Sequence, residues 1–89
     1  MKVVCKVKVK NALGLHTRPA AVIVKLLQPR KSSVSFTYKN ETINARSIMS
    51  ILMLAAKKNT LITVTVEGVD AEATMNHLVQ AFDREFGEK

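Results

Sequence analysis

The first stretch of the chain alternates. Val3, Cys5, Val7 and Val9 fall on one side, Lys2, Lys6, Lys8 and Lys10 on the other, and only Val4 is out of step. A period of two with one apolar and one charged side is a strand that buries one face and wets the other. Residues 11–16 (NALGLH) form a loop with Gly14 as its flexible point. From Thr17 the apolar residues recur at helical spacing, with Ala20, Ile23 and Leu27 on one stripe and Val22 and Leu26 beside it. Thr17 is the expected N-cap, Pro19 lies in the first turn where its missing N–H costs nothing, and Pro29 ends the run.

Alternation returns with Val34, Phe36 and Tyr38 against Ser33, Ser35 and Thr37. Lys39-Asn40-Glu41 turns the chain into a short strand over 42–44. Ser47 is the expected cap of a short, very apolar helix over 48–55, closed by Lys57-Lys58-Asn59 with Asn59 as its left-handed residue. Residues 61–67 alternate Ile62, Val64 and Val66 with Thr63, Thr65 and Glu67. Gly68 turns the chain, and Asp70 caps a last helix whose apolar positions are Ala71, Met75, Leu78, Phe82 and Phe86. The order is β-α-β-β-α-β-α. Since every strand has a polar face, an antiparallel four-stranded sheet with three helices on one face is expected, an α+β open-faced β-sandwich of the split-βαβ kind.

Length narrows the chemistry. Eighty-nine residues (1–89) make one domain, and such a chain buries only roughly 60–65% of its unfolded surface. A deep enclosed active site is out of reach, which disfavours a self-contained cofactor enzyme. Fourteen Lys and Arg against seven Asp and Glu leave a net charge of +7, favouring anionic partners without choosing among them. The lone Cys5 excludes an internal disulfide and a thiolate-rich metal site, and suits a reducing compartment. Lysines interrupt any signal-like run at the N-terminus, and no stretch approaches the roughly 20 apolar residues of a spanning helix. A cytoplasmic protein with no direct membrane insertion is expected.

Two histidines are available. His77, on the last helix at the edge of its apolar stripe, reads as an ordinary surface histidine. His16 stands just before a helix, next to Thr17 and two residues before Arg18. A helix N-terminus offers unpaired N–H groups and partial positive charge to an anion, and a guanidinium adds a fixed cation that grips phosphate oxygens. A neutral imidazole there is a usable nucleophile. No acidic cluster lies near it in sequence, so a metal site has little support and no cofactor is expected. Taken alone, His-x-Arg-Pro also fits an incidental loop histidine.

Residues 11–20, NALGLHTRPA, resemble the phosphohistidine signature of HPr, the histidine-containing phosphocarrier family of the bacterial phosphoenolpyruvate-dependent phosphotransferase system. About thirty residues on, Ala45-Arg46-Ser47-Ile48-Met49 resembles the family's regulatory-serine segment, and the element order fits throughout. The resemblance implies strand order 1-4-2-3. It implies that His16 accepts a phosphoryl group on Nδ1 from phosphorylated enzyme I and passes it to a histidine of an enzyme IIA protein. Arg18 would screen the phosphate, and the backbone amides of Thr17 and Arg18 would hold its oxygens. Ser47 would be the target of a bifunctional HPr kinase/phosphorylase. The partner surface would comprise Thr17, Ala21 and Val24 with Ile48, Met49 and Leu52, rimmed by Arg18, Lys25 and Arg46. The chain would act as a stoichiometric carrier and a monomer.

There are departures from the family pattern. Ser50 and Asn59 stand where glycine is common, the Pro29-Arg30-Lys31 turn and the FDREFGEK tail are not typical of sugar-branch members, and the Ile51-Leu52-Met53-Leu54 run and this tail resemble nitrogen-branch regulatory members. A regulator that retains His16 without using it in transport is a further alternative. From another class, a small basic nucleic-acid-binding module using the lysine face is weighed against only four aromatics, Phe36, Tyr38, Phe82 and Phe86, two of them on the last helix's apolar stripe.

Overall fold

Alternation and helical spacing translate directly into elements. The computed structural model describes residues 1–88. Over these residues β1 (Lys2–Lys8), β2 (Ser33–Tyr38), β3 (Glu41–Asn44) and β4 (Leu61–Glu67) form one antiparallel sheet in the order β1-β4-β2-β3. Helices α1 (Thr17–Leu27), α2 (Ile48–Leu54) and α3 (Ala71–Asp83) cover one face. The register sets Cys5, Val64, Phe36 and Ile43 in one row and Val3, Val66 and Val34 in another, all on the core side. Between them lies the row Val4, Thr65, Ser35, Asn44, and beyond the Cys5 row lies Lys6, Thr63, Thr37, Thr42; both rows face the other side of the sheet. Period two is thus obeyed across all four strands. Phe36 meets Phe82 of α3 edge to face, with ring centroids 5.8 Å apart, and ties sheet to helix layer.

Boundaries differ from the pattern at four points. The residue that caps α1 is His16 (φ −84°, ψ −165°), not Thr17, and its side chain makes no capping bond. Helix α2 stops at Leu54, because Ala55 itself takes the left-handed conformation (φ 53°). Asn59 is left-handed too (φ 73°), but in the turn before β4. The early stop puts the Ala56 carbonyl within 2.9 Å of the Leu15 amide, joining α2's exit to the loop before α1. Helix α3 ends at Asp83, so Phe86 is buried on a separate 3₁₀ turn, Glu85–Gly87, and not on the helix. Asp70 does occupy the cap position of α3, but its carboxylate makes no cap bond. It accepts instead from the Ser32 hydroxyl and from the amides of Lys31 and Ser32, both at 3.0 Å. Led by the Ser32 hydroxyl, then the Lys31 amide, these donors hold the Asp70 carboxyl down at about 2.

Candidate functional site

His16 is placed by both its neighbours. Its carbonyl accepts the Ala20 amide at 3.0 Å and closes the first turn of α1. The amides of Thr17 and Arg18 lie before any carbonyl that could receive them within the helix, and Pro19 has no N–H to add. Two donors therefore point out of the helix end beside the imidazole, and no acidic residue sits in that first turn to compete for them. The Arg18 side chain is exposed on the same turn.

The loop before His16 is held hard against α2's exit. Gly14 has φ +69°, and a Cβ there would collide with the Ala56 carbonyl oxygen and come within 3.0 Å of Lys57 Cα. Only glycine fits. Leu15 is buried, and the buried Asn11 side chain donates to the Gly14 carbonyl at 2.7 Å. The imidazole side chain keeps 32% of its surface open to a visiting group.

A carboxylate with no local signal in the sequence completes the arrangement. Glu88, 72 positions along the chain, brings its oxygens to 3.0 and 2.8 Å from His16 Nε2, and the same carboxylate accepts from Asn11 Nδ2 at 2.9 Å. His16 Nδ1 has no hydrogen-bond partner among the described residues. A carboxylate that follows Phe86 in a non-helical tail has no periodic signature. Its one sequence clue is the break in helical character at Gly87.

Around this ring, Thr17, Ala21 and Lys25 are exposed on α1 and Val24 is half-buried. Ile48 and Met49 are exposed on α2, Met49 at 68%, and Leu52 is half-buried. The seven-residue α2 cannot turn all its apolar side chains inward: Ile51 and Leu54 take the core, Leu52 packs at its edge, and Ile48, Met49 and Met53 stay out. Met53 (75%) and Leu13 (76%) are exposed as well. Leu13 and Leu52, with His16 and Ala55, line a hollow of about 220 Å³ beside the imidazole.

Ser47 caps α2 as expected, its hydroxyl accepting the Ser50 amide at 3.2 Å. Arg46 is a correction. It does not rim the apolar surface. Its guanidinium turns back to donate to the carbonyls of Leu27 (2.8 Å), Arg30 (2.7 Å) and Ser32 (2.7 Å). Leu27 ends α1 and Arg30 and Ser32 lie in the segment that follows, so the charge is used to close the helix end. His77 is exposed and leans on the Ala73 carbonyl (2.7 Å) and Arg30 (3.0 Å), far in sequence and role from His16. Three of the four aromatics, Phe36, Phe82 and Phe86, are buried, and Tyr38 packs against the core, so base-stacking rings are not on the open sheet face.

The chain is similar to known proteins over nearly its whole length. The family described as "PTS HPr component phosphorylation site" matches residues 3–84. The phosphocarrier protein HPr of Chlamydia pneumoniae is 49% identical over 80 residues, covering 90% of this chain and 74% of that protein. Its counterpart in Chlamydia muridarum is 46% identical over 80 residues, covering 90% and 77%. Among solved structures, HPr-C-His from Thermoanaerobacter tengcongensis superposes with a TM-score of 0.93 at 32% identity, covering 98% of each chain. HPr from Bacillus anthracis str. Ames gives 0.86 at 34% identity, covering 91% of this chain and 96% of that one.

Proposed function

The chain belongs to the HPr phosphocarrier family of the phosphotransferase system, and from that premise we propose that His16 takes a phosphoryl group from phosphorylated enzyme I and hands it to a histidine of an enzyme IIA protein. The observation that carries this reading is the half-open imidazole at the cap of α1, its Nδ1 unengaged beside two free amides and Arg18. In the transfer, the Nδ1 lone pair forms a bond to phosphorus as the donor's P–N bond breaks, and the electron pair returns to the donor ring. The Thr17 and Arg18 amides and the Arg18 guanidinium meet the charge on the phosphoryl oxygens. A carrier must also release its cargo, so these contacts serve best when they tighten only in the transfer complex. The chain relays a group and does not turn over a substrate by itself.

The apolar surface of Ile48, Met49 and Leu52, with Thr17, Ala21 and Val24, is the docking face, and Arg18 and Lys25 steer acidic partners toward it. Ser47, half-buried within that face, is the regulatory position. A phosphate from an HPr kinase/phosphorylase would set nearly two negative charges beside apolar contacts and weaken enzyme I binding. The reading includes a monomeric, cytoplasmic carrier, in keeping with the lone thiol of Cys5. Among the described residues no helix is long and apolar enough to cross a membrane.

Incubation with enzyme I, magnesium and labelled phosphoenolpyruvate tests the proposal. An acid-labile, base-stable adduct is expected on the wild type and none on His16→Ala, while Ser47→Asp is labelled more slowly. Label on His16→Ala, or none on the wild type with its cognate enzyme I, would overturn it.

A further inference from the structure

We propose that Glu88 is a positioning residue for the acceptor imidazole: its carboxylate holds the proton of the neutral His16 ring on Nε2 and so presents Nδ1 as the bare nucleophile. The inference rests on the carrier reading above and concerns a residue beyond the family match, which ends at residue 84. The contact is built from several independent parts. After α3 the chain takes positive φ at Glu85 (55°), Phe86 (54°) and Gly87 (80°), a run that non-glycine residues adopt at a cost. Phe86 is pinned in the core, its ring 4.9 Å from that of Phe82. The Glu88 amide donates to the Glu85 carbonyl at 2.9 Å, which closes the turn. The outcome of this winding is a side chain left only 14% exposed, with both oxygens at the histidine.

A carboxylate is acceptor-only, so the ring nitrogen facing it carries the hydrogen. The Asn11 amide fixes the carboxylate in turn: one of its N–H groups reaches Glu88 at 2.9 Å, the other the Gly14 carbonyl at 2.7 Å. This is the logic of a base held in one tautomer and orientation by a third group. The transfer then needs no proton to leave Nδ1. The Nδ1–P bond forms, the donor's N–P bond breaks with its pair returning to the donor nitrogen, and Nε2 keeps its hydrogen. The ring gains positive charge as it accepts the phosphoryl group, and Glu88 faces that charge from the opposite edge.

The test pairs a tautomer measurement with a rate. Ring ¹⁵N chemical shifts of neutral His16, read on the full chain, should report a pure Nε2–H ring in the wild type. In Glu88→Ala the Nδ1–H share should rise toward that of a free histidine. Labelling from phosphorylated enzyme I should slow about tenfold in Glu88→Ala, the loss of one hydrogen bond to a charged group. Glu88→Gln, which keeps an acceptor oxygen, should restore the tautomer and only part of the rate. Unmoved ¹⁵N shifts in Glu88→Ala overturn the proposal, whether or not the rate falls. A wild type that takes no label overturns the carrier reading instead, and the ¹⁵N arm still decides the role of Glu88.

Discussion

The two ends of α1 lie about 16 Å apart and are treated in opposite ways. At the C-terminal end, the carbonyls of Leu27, Arg30 and Ser32 are gathered by the Arg46 guanidinium, and the turn is tied down by Asp70 through Lys31 and Ser32. At the N-terminal end no side chain caps the helix, proline removes one donor, and the amides of Thr17 and Arg18 are left facing outward. The same backbone physics applies at both. The closed end ties the helix to the turn that leads into the sheet, and the open end leaves its donors available for the phosphoryl group of the proposed transfer.

The sharpest way to break this contrast is at the closed end. Arg46→Ala removes three charge-assisted bonds and should cost about 2–4 kcal/mol of stability, seen as a lower urea midpoint, with the labelling rate of the folded protein unchanged. Arg46→Lys should recover little, since a single ammonium cannot fork to three carbonyls. At the open end the signature reverses. Arg18→Ala should slow labelling from enzyme I about tenfold and leave the unfolding free energy within about 0.5 kcal/mol of the wild type. The smallest effect is confined to acid. The Asp70 carboxyl, held at about 2 against an ordinary 3.8, adds stability that is full above about pH 4 and is lost as the pH falls toward 2. Asp70→Asn should flatten that part of the pH dependence of the urea midpoint.

These opposed ends also show what the sequence could and could not reveal. The strands were legible because Val3, Cys5 and Val7 against Lys2, Lys6 and Lys8 admit one periodicity, and the sheet obeys it. The strand order rested on resemblance, since alternation fixes which face is buried and not which strand is neighbour. The proposed roles of His16, Arg18 and Ser47 come from local motifs. Arg46 was misassigned because a cation that closes a helix end and a cation that rims a docking face look alike in sequence; only the carbonyls it reaches tell them apart. Glu88 was invisible for a related reason. Its partner is 72 residues away, and the tail's route depends on left-handed turns at Glu85 and Phe86, residue types that do not advertise them.

Gly14, wedged against Ala56 with no space for a methyl group, has a mechanical consequence. Together with the Leu15–Ala56 bond it welds the segment bearing the reactive ring to the far end of the methionine-bearing helix, so the two cannot slip past one another. On the proposed reading, a protein seated on Ile48, Met49 and Leu52 would find the imidazole already in registration, with little angular search left before reaction.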